Sequence, residues 1–262
     1  MSRKAASAPD RALKGAGQKQ RLDVLLVTRG LAATRSRARD LVRRGAVTIE
    51  GHPAAKPGQL VSENAVLCVA DEAGRYVSRG ALKLIAGLDA FGFDPAGRNA
   101  LDIGASTGGF TQVLLERGAA HVTAIDVGHG QLAEVIASDP RVTGLEGTDA
   151  RSLDRGTVPG EITAIVADVS FISLTKALPP VLALASPGCW LVALVKPQFE
   201  AGREAVGKGG VVRSETARGA AVEKVKAWMS SQSGWTVSGI VESPIKGGDG
   251  NMEYLLGAKL ND

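Results

Sequence analysis

The sequence predicts a small α+β unit followed by an α/β unit, whose core is a mostly parallel sheet with one antiparallel hairpin at its edge. Three observations predict this. Two helix-forming stretches lead into short alternating strands over residues 21–70. From Arg98 onward, apolar strand patterns alternate with helix patterns. The last two strand patterns are separated only by the turn KGGDGN. Alternation of strand and helix needs crossover connections, hence a parallel sheet covered on both faces. Two strands joined by a short turn run antiparallel.

Residues 1–20 hold Ala, Gly, Ser, Lys and Gln without an apolar stripe and read as a disordered basic tail. Order begins at RLDVLLVTRG, where Leu22, Leu25 and Leu26 fall at helical spacing and Gly30 stops the helix. Thr34 reads as the N-cap of a second helix, SRARDLVRRG, ending at Gly45. AVTIEG, HPAA and QLVSENAVLCVA follow as small strands with turns at Gly51, Pro57-Gly58 and Glu63-Asn64. DEAGRY opens a linker over 71–78, and 79–262 form the larger unit. Its first helix pattern, VSRGALKLIAGLDAFGF, places Leu82, Ile85, Ala86 and Leu88 on an apolar stripe. Then come strand ALDI and helix GGFTQVLLERG, strand HVTAID and helix GQLAEVIASD, and strand RVTGLEG. Strand ITAIVAD, helix SLTKALPPVLALA, strand GCWLVALVKP and helix SETARGAAVEKVKAWMSSQS precede the closing strands WTVSGIVESP and MEYLLGAKL.

Of the 262 residues, 44% are hydrophobic, enough for a core. No apolar stretch reaches the roughly 18 residues that suggest a membrane span, and the N-terminus lacks the apolar segment of a secretory signal. Cys68 and Cys189 show neither paired nor metal-ligand spacing, so the chain reads as cytoplasmic, with free thiols and no metal. The net charge of +4 hides an asymmetry: residues 1–60 carry 13 Lys/Arg against 4 Asp/Glu, and the rest carry 18 against 23. A basic front on a mildly acidic body points to a polyanionic partner. Arg35, Arg37, Arg39, Arg43 and Arg44 crowd into the second helix. Few acids offset them, and guanidinium forks suit phosphate, so this face is expected to bind RNA. Arg21, Lys56, Arg75 and Arg79 are assigned to the same task. The pattern LDVLLVTRGLAATRSRARDLVRRGAVTIEG resembles the S4 RNA-binding domain.

LDIGASTGGF ends a strand and opens a helix. Backbone N–H groups there make a site for negative charge. A dinucleotide fingerprint would be G-x-G-x-x-G, but Ser106 stands where its second glycine belongs. The alternative is an S-adenosylmethionine loop, acidic-x-G-x-G-x-G, matched by Asp102, Gly104, Ser106 and Gly108, with Thr107, Gly109 and Phe110 completing the turn. An acid just before the loop suits a cationic amino-acid end better than a pyrophosphate. Asp126, ending HVTAID, stands where a ribose diol is bridged, as it would for NAD too. Asp149, in GTDAR, is placed to reach the adenine amine.

On the acceptor side, Asp168 ends ITAIVAD and Lys196 ends LVALVKP, both at the carboxyl edge of the sheet, where α/β folds bind ligands. Lys83 precedes the first strand and Glu253 opens the last, with Glu242 as a neighbouring acid. A ribose hydroxyl is a poor nucleophile and needs a base or a strong polariser. A lysine can serve if burial and a neighbouring cation lower its pKa.

DIGASTGGF, ADVSFIS, LVKPQFE and VSRGALKL, with the S4-like front, together resemble the TlyA group of FtsJ-like ribosomal RNA 2′-O-methyltransferases, a group that also carries the name hemolysin A. The resemblance covers about residues 21–260. It implies a Rossmann-like methyltransferase fold, S-adenosylmethionine as cofactor, and methylation of a cytidine ribose in 16S rRNA, 23S rRNA or both, on ribosomal subunits. It also implies a Lys-Asp-Lys-Glu tetrad, which maps to Lys83, Asp168, Lys196 and Glu253. The target nucleotide is expected to be flipped out of its helix, the glycine-rich stretch 199–213 to be a mobile loop beside the site, and the chain to be a monomer. Arg75 and Arg79 could link RNA docking to ordering of the cofactor pocket. Two other classes compete. A non-catalytic RNA-binding assembly factor would not need the glycine loop, Asp168 and Lys196. A membrane-active hemolysin would need a span or an amphipathic cationic helix.

Overall fold

The computed structural model describes residues 18–32, 34–70 and 72–261; most of the expected tail, residues 1–17, lies outside them. The chain divides into two compact units, one running to Glu72 and the other starting at Ala73.

In the first unit, Lys19 and Gln20, which the sequence pattern leaves in the tail, are instead part of strand β1 (Lys19–Arg21). β1 pairs antiparallel with β4 (Leu60–Ser62), Arg21 opposite Leu60. Backbone pairing can order residues that carry no apolar signal. Helix α1 (Leu22–Thr28) follows directly and buries Leu22, Leu25 and Leu26. Thr34 caps α2 (Arg35–Arg43), its hydroxyl accepting the Arg37 N–H at 3.2 Å. α2 turns Ala38, Leu41 and Val42 inward, against the leucines of α1. An antiparallel sheet in the order β3 (His52–Pro53), β2 (Val47–Ile49), β5 (Leu67–Val69) completes the unit.

The second unit is a seven-stranded sheet in the order β11-β12-β10-β9-β6-β7-β8. These strands are β6 (Asn99–Ile103), β7 (His121–Asp126), β8 (Val142–Glu146), β9 (Ile162–Ala167), β10 (Ala185–Val195), β11 (Trp235–Glu242) and β12 (Tyr254–Leu260). β6 through β10 are mutually parallel. β12 runs antiparallel between β10 and β11, so the closing hairpin forms the edge as expected. Side chains alternate across the sheet. Leu101, Ile103, Ile165 and Leu191 point to one face, covered by α6 (Leu174–Ala177), α7 (Pro179–Leu182) and α8 (Glu215–Ser230). Ala100, Val122, Val166 and Val192 point to the other, covered by α3 (Gly80–Phe91) and α4 (Gly109–Glu116).

Three helices differ from the sequence pattern. In α3, Ala81, Leu84, Gly87 and Leu88 face the core, while Leu82, Ile85 and Ala86 are only half-buried. Residues 81–88 are apolar nearly all round, so periodicity does not choose a face. Gly87 chooses it: a Cβ there would stand 2.8 Å from Val192, so this side approaches the sheet most closely. GQLAEVIASD supplies only the single turn α5 (Glu134–Ala137), because Glu146 draws the preceding N–H groups into an extended loop. SLTKALPPVLALA breaks into α6 and α7 at its prolines, which lack the N–H to continue a helix.

Candidate active site

The loop after β6 lies at the carboxyl edge, where the strand order reverses between β6 and β9. Gly104 has φ +82°, and a Cβ on it would meet the Asp168 carbonyl oxygen at 2.5 Å, so only glycine lets the ends of β6 and β9 approach this closely. Ser106, the departure from a glycine pattern, nevertheless has φ +48°. The backbone keeps the left-handed turn that glycine usually provides. Asp126 supports it, accepting the Ser106 N–H at 2.8 Å and the Gly128 N–H at 2.8 Å. Glu146 accepts N–H groups from Gly130, Gln131 and Leu132 at 2.7, 2.8 and 3.1 Å. These bonds hold its carboxyl below the usual range. The result is a cleft of about 410 Å³ lined by Gly104, Ser106, Asp126, Asp149, Arg151 and Asp168, among others.

Gly109 and Phe110 line an adjoining cleft instead, while Thr107 and Gly108 line neither. Asp102 differs more sharply from the expectation of a ligand-facing acid. Alternation along β6 turns it toward α4, fully buried, with the Thr111 hydroxyl donating to its Oδ2 at 2.6 Å. Among the described residues, its Oδ1 has no hydrogen-bond partner. Burial pushes this carboxyl up to about 7, and nearby Asp168 and Asp126 push the same way. Asp149 lines the cleft but is already engaged by Arg151, at 2.5 Å from Nη2.

The adjoining cleft, about 230 Å³, is lined by Ser78, Arg79, Lys83, Asp168 and Lys246, among others. Of the four acceptor-side residues Lys83 and Asp168 line it, and each forms an ion pair with one of the other two. Lys83 Nζ lies 2.5 Å from Glu253 Oε2, and Lys196 Nζ lies 2.6 Å from Asp168 Oδ1. Lys83, Lys196 and Glu253 are all buried. Glu253 meets Lys83, and Glu242 is exposed on β11. Each lysine pairs with a carboxylate; the expected lysine–cation juxtaposition is not what these pairs present. Lys196 also donates to Ser170 Oγ at 2.8 Å. Asp168 lines both clefts and so stands where they join.

In the first unit the expectation that few acids offset the arginines is corrected. Asp23 is fully buried and accepts Arg21, Arg35 and Arg39. Asp40 pairs with Arg37 at 3.4 Å and Arg44 at 3.0 Å. Arg43 and Lys56 are exposed. In the second unit Arg79 is exposed at the smaller cleft, while Arg75 lies 2.6 Å from Glu116. Gln112 ties the same stretch to α4, accepting the Val77 N–H and donating to the Arg75 carbonyl. The 199–213 stretch is fastened at both ends. Buried Glu200 accepts the Ser173 hydroxyl and the Leu174 N–H, and Asn251 accepts the Val212 N–H and donates to the Gly210 carbonyl.

Sequence reasoning missed Phe171. It is 92% exposed, has φ +66°, lines the larger cleft, and its ring sits 5.2 Å from that of Phe199. An aromatic residue held so openly in a left-handed conformation is unusual, but only its place in ADVSFIS could have flagged it.

A model of the FtsJ-like methyltransferase family matches residues 76–260, and a model of the S4 domain matches residues 20–67. The chain belongs to the FtsJ-like methyltransferase family. As a member it is a methyltransferase, and its cofactor is S-adenosylmethionine. The 16S/23S rRNA (cytidine-2′-O)-methyltransferase TlyA of Mycobacterium tuberculosis is 49% identical over 91% of this chain and 89% of its own length. Hemolysin A of Brachyspira hyodysenteriae is 37% identical over 90% of this chain and 98% of its own. A solved hemolysin-named structure from Streptococcus thermophilus aligns with a TM-score of 0.72 at 40% identity, covering 93% of this chain and 89% of that one. Among the described residues, no helix is long and apolar enough to cross a membrane.

The FtsJ-like cleft fits its cofactor in two respects. The head of α4, Gly109 and Phe110, borders the smaller cleft beside Gly104 and Ser106, where helix N–H groups suit a carboxylate, and Asp126 and Asp149 line the larger one, where carboxylates suit ribose and adenine.

Proposed function

We propose that this FtsJ-like chain methylates the 2′-hydroxyl of a cytidine in 16S or 23S ribosomal RNA, acting as a monomer on ribosomal subunits in the cytoplasm. The observation that carries this reading is the joining of two clefts at Asp168, itself paired with buried Lys196, with the buried Lys83–Glu253 pair at the smaller cleft. Likeness to the cytidine-2′-O-methyltransferase supports the choice of target. Residues 21–70 serve as RNA reader, 71–78 as connection and 79–262 as catalyst.

Gly104, Ser106 and the head of α4 bind the amino-acid end of the cofactor, and Asp126 and Asp149 its nucleoside. When bound, S-adenosylmethionine supplies an electrophilic methyl on a sulfonium. Lys83 and Asp168 line the smaller cleft and hold the ribose hydroxyl in line with it. Glu253 fixes Lys83, and Ser170 and Asp168 fix Lys196. The Lys196–Asp168 pair takes up the hydroxyl proton as the methyl passes from the sulfonium to the oxygen. Phe171 offers its open ring to a base displaced from the RNA stack. The fastening of Arg75 to α4 couples the connection to the cofactor loop.

The test is transfer of labelled methyl from S-adenosylmethionine to purified 30S and 50S subunits. Wild type is expected to label at least one subunit, and Lys196→Ala to lose about 1,000-fold in rate. Absence of label from the wild type on either subunit overturns the reading. Full activity in Lys196→Ala removes that lysine from its role.

A further inference from the structure

Among the described residues, Asp23 is the carboxylate on which three guanidiniums converge. Arg21 grips it with both arms, Nε to Oδ1 at 3.0 Å and Nη2 to Oδ2 at 3.1 Å. Arg35 Nη2 reaches Oδ2 at 3.2 Å and Arg39 Nε reaches it at 3.1 Å. The contributors come from the end of β1, the first turn of α1 and one face of α2. The Pro57-Gly58 turn makes room for the fan: a Cβ at Gly58 would stand 3.0 Å from Arg21 Nη2. Asp23 has no exposed surface, whereas the arginine side chains remain 48%, 52% and 45% exposed. The carboxylate therefore cannot touch a ligand, but the guanidiniums can. Each has five N–H donors, and Asp23 takes only one or two from each.

We propose that Asp23 is a positioning residue for RNA, holding Arg21, Arg35 and Arg39 as one pre-set fan of forks for backbone phosphates. The proposal rests on the reading that the first unit binds ribosomal RNA. Three cations this close repel one another and would splay if released. Ordering them again on binding would cost side-chain entropy. Asp23 meets that cost during folding. The exposed N–H groups then face solvent in a fixed relation, suited to successive phosphates.

The sign of one experiment separates positioning from simple charge. Asp23→Asn keeps the shape and removes one negative charge from beneath the RNA-facing guanidiniums, raising the net charge there by one. Coulomb attraction alone then predicts tighter binding; positioning predicts weaker. The readout is KM for purified 30S and 50S subunits, with kcat measured beside it on the full chain. Asp23→Asn is expected to raise KM about 10-fold and leave kcat within about twofold. Loss of folded protein would lower kcat instead. An unchanged or lowered KM overturns the proposal. If Asp23→Asn fails to give a cooperative unfolding transition, Arg39→Lys decides, since it keeps the charge and loses the fork. KM is then expected to rise about threefold, and an unchanged value overturns the proposal. The triple change of Arg21, Arg35 and Arg39 to Gln tests the underlying reading separately. If its KM matches wild type, this face is not where RNA binds. If its KM rises while that of Asp23→Asn does not, the face binds RNA and Asp23 does not organise it.

Discussion

Each unit contains an aspartate with no exposed surface, Asp23 in the first and Asp102 in the second. Burial penalises the charged form of both. At Asp23, hydrogen bonds from Arg21, Arg39 and Arg35 outweigh that penalty and hold the carboxyl far below its ordinary range. At Asp102 the single hydroxyl of Thr111 does not, and the charged neighbours, Asp168 and Asp126, have the wrong sign, so the group rises to about 7. Burial thus leaves the protonation state open, and the partners decide it. A carboxylate with cations on it becomes an anchor. One without them becomes a proton holder beneath the cofactor loop. By number of cations Glu253 stands between the two, buried against Lys83 alone.

The largest effect is expected where the intermediate case is broken. Glu253→Gln keeps the shape but removes the counter-charge from buried Lys83. Methyl transfer to ribosomal subunits is expected to fall about 1,000-fold, with the unfolding transition retained. A rate within a few-fold of wild type would show that the Lys83–Glu253 pair is structural only, closer in kind to Asp23 than to a working site.

Asp102→Asn tests the other extreme. A carboxyl whose folded pKa is raised binds its proton more tightly when folded. Its contribution to stability is complete below the unfolded value near 4 and is lost as pH rises through about 7. Linkage limits the slope to roughly 1.4 kcal/mol per pH unit; a total loss of about 3 kcal/mol between pH 4 and 7 is expected. Urea unfolding of wild type and Asp102→Asn across that range gives the difference. It should tilt toward the variant as pH rises. A difference that stays flat means that Asp102 is ionised in the folded protein. Asp23 has the opposite sign: its contribution is present above the unfolded value and lost as pH falls below it.

Neither fate was legible in the sequence, although much around them was. The leucine spacing of α1, the Thr34 cap and the strand–helix alternation all follow from local periodicity, and the structure follows them. Lys83, Asp168, Lys196 and Glu253 could be gathered because three of them sit in distinctive local strings. Asp102 reads like a ligand-facing acid because it precedes the glycine loop, yet strand parity, which depends on which face meets α4, turns it inward. Asp23 is one acid within an apolar helix pattern, and its three partners come from positions 21, 35 and 39. Such convergence is tertiary and leaves no periodic trace. The same holds for the choice of face in α3, fixed by contact at Gly87 with Val192 from the other end of the fold.

The finest test asks whether partners alone account for the contrast. Thr111→Val removes the side-chain hydrogen bond on Asp102 while keeping side-chain volume close to wild type. That bond favours the ionised form, so its loss drives the carboxyl further up. The pH window over which stability falls should extend above 7, by less than about one unit, since a single hydroxyl bond contributes about 1 kcal/mol. Because the bond is worth most to the ionised state, the variant is expected to differ more from wild type at pH 8 than at pH 5. In an Asp102→Asn background the same change should cost nearly the same at both pH values, there being no carboxyl left to titrate. If Thr111→Val shifts the profile equally in both backgrounds, the pH dependence arises from another group, and the contrast with Asp23 reduces to the arginines alone.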